Sequence, residues 1–270
     1  MNYSVLASVY HKEKPEYLKL SISSILNQTV PTNDFVIVKD GPLTAELEEV
    51  LQYFKERNDN INIISLTHNV GLGQALNAGL KACKNKLVAR MDTDDIALES
   101  RCELQLLEFE KDPSLDIVGT FMYEFLSDPA EITAIKEVPT THNDIYQFAK
   151  RRNPFNHPTV MYKKDTVLNN GGYSTMRRSQ DIELFTRLLF KGSKGKNIDK
   201  PLLKFRTNEN MLKRRKSWDT TKSYIKVILK SWKMGYANFT DLMYAIVLQF
   251  GMMIIPIQII RIIYKKFYRK

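Results

Sequence analysis

A strand-length apolar run followed by a segment of helical spacing occurs four times in a row before Asp112, and this alternation restricts the fold more than any other feature of the chain. Ser4 to Val9 (SVLASV) is β-prone, and after the Lys14-Pro15 break the segment from Glu16 to Leu26 sets Leu18, Ile22, Ile25 and Leu26 on one helical face. The pattern returns as Phe35 to Val38 with Thr44 to Arg57, Ile61 to Leu66 with Leu72 to Ala82, and Leu87 to Met91 with Leu98 to Lys111. Strand and helix pairs with short connections predict an α/β fold, a mainly parallel sheet covered by helices on both faces. Ligands of such sheets bind beyond the carboxyl ends of the strands. The loops at Tyr10 to Lys14, Asp40 to Pro42, His68 to Gly73 and Asp92 to Asp95 are therefore expected to converge on one crevice.

Beyond Asp112 the alternation weakens. A strand near Ile117 to Phe125, a loop around Asp128 to Pro139, a strand at Thr159 to Tyr162 and a helix at Ile182 to Phe190 are expected, in a half suited to selecting a second substrate. A basic helix runs from Ser217 to Met234 with Tyr224, Ile225, Ile228, Leu229 and Trp232 on one side, and the 19 residues from Leu242 to Ile260 carry no charge. The 270 residues thus divide into 1–112, 113–210 as the other half of the same domain, and a helical tail at 211–270.

The formal charge of +10 would suggest nucleic acid if it were spread along the chain, but it is concentrated. From Met211 to Lys270 there are 13 Lys and Arg against Asp219 and Asp241, a net of +11, which leaves the remainder at −1. A basic tail beside an apolar run faces an anionic membrane surface better than a nucleic acid. Leu242 to Ile260 just reaches the roughly 20 residues that span a bilayer, but Gln249, Gly251, Pro256 and Gln258 lower its hydropathy. An interfacial or re-entrant helix is expected, with Lys265, Lys266, Arg269 and Lys270 on anionic headgroups; a helix buried against the catalytic domain or a homodimer partner is the alternative. Cys83 and Cys102 lie in helix-like segments without metal-ligand neighbours, so reduced, packed thiols and a cytosolic catalytic part are expected. The N-terminus reads as a first strand rather than an export leader.

The sharpest local motif is Met91-Asp92-Thr93-Asp94-Asp95, three carboxylates directly after an apolar strand. Carboxylates bunched at one strand exit repel one another unless a cation neutralises them, and Mg²⁺ or Mn²⁺ accepts hard oxygen ligands while leaving positions open to water and phosphate. The competing reading is a helix N-cap with acidic first-turn residues, and Asp95 is expected to be no more than that.

Together with Ser8-Val9-Tyr10-His11-Lys12-Glu13, Val38-Lys39-Asp40-Gly41-Pro42 and Asn69-Val70-Gly71-Leu72-Gly73-Gln74-Ala75-Leu76-Asn77-Ala78-Gly79, the acidic motif resembles, in order and spacing, the nucleotide-sugar-binding half of glycosyltransferase family 2, in particular bacterial capsule and exopolysaccharide transferases. The resemblance implies a GT-A (Rossmann-like) fold, a UDP-sugar donor, a divalent cation, Mn²⁺ or Mg²⁺, and inversion at the anomeric carbon. Carried over by position, Ser8, Tyr10, Glu13 and Asp40 would hold uracil and ribose. Asn69, Gly71 and Asn77 would line the floor, Asp92 would lie against ribose and metal, and Asp94 would be the principal metal ligand. Glycines that merely relieve a tight turn are the alternative for Asn69 to Gly79.

Ser179-Gln180-Asp181-Ile182-Glu183-Leu184 resembles that family's Glu-Asp or Gln-Asp pair, in which the aspartate deprotonates the acceptor hydroxyl; helix capping is the alternative for Asp181. Asn153-Pro154-Phe155-Asn156-His157-Pro158 and Gly171-Gly172-Tyr173 match the same subfamily. His157 either meets the donor's sugar or phosphate, completes the metal shell, or is hydrogen-bonded structurally. Arg214 and Arg215 fall where a basic flap would cover the diphosphate, or face anionic lipid.

The expectation is an inverting transferase that moves a sugar from a UDP-sugar, galactose or N-acetylgalactosamine by subfamily likeness, to a lipid-diphosphate-linked glycan at the cytoplasmic face of a bacterial inner membrane. A sugar-phosphate nucleotidyltransferase is the runner-up, although Tyr10 to Lys14 lacks the glycine-rich phosphate loop it would need. A non-catalytic scaffold for polysaccharide assembly is the reading from a different class.

Overall fold

The computed structural model describes residues 1–207 and 217–255. Strands β1 (Tyr3–Val9), β2 (Asp34–Lys39), β3 (Ile61–Ser65) and β4 (Leu87–Asp92) pair in parallel in the order β3-β2-β1-β4, as the alternation predicts. Their near-continuous apolar character reflects burial on both faces. Tyr3, Val5, Ala7, Phe35, Ile37, Ala89 and Met91 point into one core shared with α1 (Pro15–Leu26), α2 (Ala45–Lys55) and α4 (Arg101–Lys111). Leu6, Val36, Val38 and Val88 point into the other, under α3 (Leu72–Ala82).

α3 lies close to the sheet because Gly79 faces it: a Cβ there would sit 2.4 Å from Leu6 Cδ1 and 2.6 Å from Val38 Cγ2. Gly79→Val is expected to lower unfolding stability by about 1–3 kcal/mol through overpacking, read as a shifted denaturant midpoint at constant slope.

The second half is mixed rather than parallel. β6 (Ile117–Phe125) pairs antiparallel with β7 (Ile132–Lys136) and β8 (Met161–Lys163), and β8 joins antiparallel to β4, fusing the halves into one sheet. β9 (Gly195–Arg206) runs parallel to β6 and pairs antiparallel with the short β5 (Ile96–Ala97). Helices α5 (His142–Ala149), α6 (Lys164–Asn169) and α7 (Gln180–Phe190) cover the α3 face.

Several boundaries differ from the sequence reading. The expected loop at Asp128 to Pro139 contains the edge strand β7, which is too short and too exposed to show alternation. The strand expected from Thr159 begins at Met161, because His157-Pro158-Thr159 forms a 3₁₀ turn. β9 was hidden by its charges and by Pro201, which sits where the register against β6 slips. The helix expected at Leu98 starts at Arg101.

The tail forms an antiparallel pair, α8 (Trp218–Lys233) and α9 (Phe239–Ile254), with a small core of Ile228, Leu242 and Ala245. Among the described residues no helix is long and apolar enough to cross a membrane. Arg214 and Arg215, the end of the uncharged run beyond Ile255, and Lys265 to Lys270 lie outside the described residues. Cys83 and Cys102 are buried free thiols.

Candidate active site

Strand register brings the four loops level. Ser8 pairs with Asp92, Val9 with Lys39 and Lys39 with Ser65, so the chain leaves β1, β2, β3 and β4 at one edge. There Asp40 accepts hydrogen bonds from Asn69 Nδ2 (2.9 Å), the Val70 amide (2.7 Å) and the Gly71 amide (3.1 Å). Gly71 is at φ +88, which a side chain would strain, and it opens α3. Asp40, Asn69 and Gly71 are thus one unit in which the carboxylate shapes the turn. Asn77 is not a floor residue facing ligand: its amide clasps the Tyr173 backbone, donating to O (2.8 Å) and accepting from N (2.7 Å), and so ties α3 to the Gly171-Gly172-Tyr173 segment. Ser8 is half-buried at the strand end, and Tyr10 is exposed with its ring edge-on to His11.

At the exit of β4 one oxygen from each of Asp92, Asp94 and Asp95 lies within 4.8 Å of the others. Asp95 is not a helix cap. It is buried, its Oδ1 accepts from the Arg206 amide (2.9 Å), its Oδ2 has no hydrogen-bond partner, and α4 starts six residues later with Ser100 as N-cap. Glu13 joins this corner, accepting from Thr93 Oγ1 at 2.7 Å. Burial, then Asp92 and Glu13, push Asp94 up to about 7; burial, then Asp94 and Asp92, drive Asp95 well above the usual carboxylate range. Burial likewise raises Glu13. Three clustered carboxylates, of which Arg90 pairs with only Asp92 and one of which keeps an orphaned oxygen, are a donor set that fits a hard divalent cation.

A raised carboxylate pKa means that the folded chain favours the protonated acid. This contribution to stability is present at low pH and is lost as pH rises from the unfolded value toward about 7. Mn²⁺, which needs the deprotonated form, is therefore expected to bind more tightly and to raise the melting temperature more at about pH 8 than at about pH 6. Calorimetric titration at the two pH values checks this; equal affinities would contradict it.

Asp92 also carries the site inward. Arg90, two residues earlier and so on the same strand face, is 1% exposed and grips both Asp92 oxygens, Nη1 to Oδ2 at 2.6 Å and Nη2 to Oδ1. The sequence reading missed Arg90, although the period-2 rule was the signal that would have found it. Arg206, also missed, has none: it arrives from β9, donates Nε to the Asp94 carbonyl (3.0 Å) and stacks on Tyr17.

Arg90 and Asp92 line a cleft of about 840 Å³ together with Asp181, Asn153 and His157. Asp181 lies in the first turn of α7 after Ser179, with its Oδ2 accepting from Asn153 Nδ2 at 2.7 Å. Burial raises its pKa, against the lowering by backbone N–H groups and by the Arg90 and Lys136 charges. Gln180 supplies no second carboxylate, so desolvation takes that part. His157 is buried and its Nε2 lies 3.0 Å from the Tyr173 hydroxyl; burial and then Arg90 hold it well below its ordinary value, as a neutral ring. It lines the cleft and is not among the residues of the acidic cluster. Lys136 and Arg178, which no motif marked, also line the cleft.

The family model for glycosyl transferase family 2 matches residues 4–220. The chain belongs to this family. As a family 2 chain it is similar, at 34% identity over 264 residues and 98% of both chains, to the amylovoran biosynthesis glycosyltransferase AmsE of Erwinia amylovora. It is also similar, at 34% identity over 268 residues, 99% of this chain and 97% of the other, to the UDP-Gal:alpha-D-GlcNAc-diphosphoundecaprenol beta-1,3-galactosyltransferase of Escherichia coli. Among solved structures, the mannosyltransferase PcManGT from Pyrobaculum calidifontis, in complex with GDP-Man and Mn²⁺, superposes with a TM-score of 0.63 at 13% identity, covering 97% of this chain and 78% of that one. That likeness shows the fold, the GT-A architecture for family 2.

Proposed function

We propose that this family 2 enzyme is an inverting transferase of surface polysaccharide synthesis, moving a hexose from a UDP-sugar to a lipid-diphosphate-linked glycan at the cytoplasmic face of the inner membrane. The observation that carries the reading is the cleft itself, about 840 Å³, lined both by Asp92 of the acidic cluster and by Asp181. The relative that acts on a diphosphoundecaprenol-linked sugar supports the donor and acceptor classes.

The Asp40, Asn69 and Gly71 turn and the end of β1, with Tyr10, form the nucleotide side. Asp94, Asp92 and Asp95 would hold Mn²⁺ or Mg²⁺, which when bound supplies positive charge to the leaving diphosphate. Arg90 fixes the Asp92 carboxylate, so the acidic corner keeps one geometry. Asp181 takes the proton from the acceptor hydroxyl as its oxygen bonds to the anomeric carbon and the bond to UDP breaks, with Asn153 orienting the carboxylate. His157, neutral and held by Tyr173, supports the cleft wall and faces the sugar.

A screen of UDP-sugars against membrane-extracted lipid-linked glycans, with and without Mn²⁺, tests the reading. Transfer from one UDP-sugar that depends on the metal is expected. No binding of UDP in the presence of Mn²⁺ would overturn it in favour of a non-catalytic scaffold.

A further inference from the structure

We propose that the outward face of α9 lies on an anionic lipid bilayer and thereby holds the mouth of the cleft at headgroup level. The inference rests on the lipid-linked acceptor above and names the surface that reaches it. Phe239, Met243, Val247, Phe250 and Ile254 recur every three or four residues and are all exposed, Val247 by 63% and Ile254 by 81%, while Leu242, Ala245 and Gln249 on the opposite side are buried. A stripe of large apolar side chains along a whole helix is the face that an interfacial helix presents.

The stripe sits at the cleft. α8 and α9 are antiparallel, with Trp232 beside Phe239 at one end (6.4 Å between ring centroids) and Trp218 beside Phe250 at the other (6.0 Å). Directly after Trp218, which is 53% exposed, Asp219, Thr220 and Ser223 of α8 line the cleft. Arg178 Nη1 donates to Thr220 Oγ1 (2.8 Å) and Lys230 Nζ to Glu183 (2.5 Å), joining α8 to the segment that carries Asp181. An apolar surface at the distal end of the domain would not serve a lipid-borne substrate; the Phe250 end of this one packs on Trp218, next to cleft residues of α8.

The occupant is chosen by charge and by length. Lys222 lies 5.9 Å from the Trp218 ring, Arg151 lies 4.9 Å from the Tyr244 ring, and Arg152 donates to the Tyr244 hydroxyl, so aromatic and cationic groups flank the stripe as they do where side chains snorkel to headgroups. On the described helix pair Lys222, Lys226, Lys230 and Lys233 outnumber Asp219 and Asp241, a balance that favours an anionic bilayer over a neutral surface. As described, α9 has 16 residues, about 24 Å at 1.5 Å per residue, short of the ~30 Å hydrocarbon core, a length that suits a helix lying in the interface.

The test is co-sedimentation with phosphatidylglycerol-containing vesicles, alongside turnover on two acceptors with the same glycosyl diphosphate head, one short-chained and in solution, one embedded in vesicles. Val247→Glu with Ile254→Glu is expected to weaken vesicle binding by about ten-fold or more and to cut turnover on the embedded acceptor similarly, with turnover on the soluble acceptor and Mn²⁺-dependent UDP binding unchanged. Val247→Ser with Phe250→Ser, a milder pair on an exposed face, should follow in the same order at an unaltered melting temperature. Vesicle binding that survives in both pairs overturns the proposal. So does binding that only removal of residues 256–270 abolishes, or a wild-type chain that ignores vesicles but forms a dimer that the substitutions dissociate. Intact UDP binding in any of these cases leaves the transferase reading standing.

Discussion

Asp181→Asn lowers turnover by about 10²- to 10⁴-fold and leaves Mn²⁺-dependent UDP binding unchanged, because the substitution removes the proton acceptor without altering the donor side. The replacement is nearly isosteric, and its carbonyl oxygen still accepts from Asn153 Nδ2, which lies 2.7 Å from the native carboxylate. Lost activity would therefore report chemistry rather than a displaced α7. The pH profile gives a second reading of the same residue. Burial raises the Asp181 pKa, so the unprotonated base is depleted as pH falls toward that raised value, and kcat/KM of the wild type should fall on the acid side earlier than for an ordinary carboxylate. With Mn²⁺ saturating across the pH range, so that titration of the acidic cluster adds no limb of its own, residual activity of the asparagine variant should lack that limb. Near-normal turnover would remove Asp181 as the base.

Asp94→Ala has the larger effect on binding. It deletes the part-buried member of the acidic cluster that Arg90 does not grip, and Mn²⁺-dependent UDP affinity is expected to fall by about 100-fold or more, with kcat/KM falling at least as far. Its effect on the metal-free chain has the opposite sign. Asp94 is pushed up to about 7 by burial and by Asp92 and Glu13, so above that pH its charge burdens the fold, and its removal should raise the melting temperature of the metal-free enzyme at about pH 8. At low pH, where the wild-type carboxyl is already protonated, the two melting temperatures should converge. A variant that binds UDP as tightly as the wild type with Mn²⁺ would move the metal site elsewhere.

The parallel half was readable because β1, β2 and β4 are buried on both faces, β3 is apolar though only partly buried, and the helices carry regular apolar stripes, patterns that sequence periodicity reports directly. That Asp94 falls in an acidic cluster and Asp181 on the cleft was readable for a different reason, since each lies in a contiguous motif at the start or end of an element. The misread residues depend on contacts distant in sequence. Asn77 was placed toward ligand, but the Tyr173 backbone that it clasps lies 96 residues away. Asp95 was read as a cap, but the amide that engages it belongs to Arg206, 111 residues on and at the end of a strand that charges and Pro201 concealed. The tail's apolar run was legible as such, whereas its division into a face packed on α8 and a face turned outward required the helix phase.

The two hydrogen bonds between the Asn77 amide and the Tyr173 main chain set a rule for recombining such enzymes. Because one member is backbone, this clasp asks of position 173 only a peptide N–H and C=O in place, while the tyrosine itself is kept there by its hydroxyl, which meets His157 Nε2; the other member must be a side chain that both donates and accepts. A chimaera that joins the front of this sequence to the rear of a distant relative should therefore assemble only where asparagine, or a group of the same reach, is inherited with the front. A leucine grafted there should leave both halves of the sheet folded but α3 wrongly aligned on the segment that it clasps.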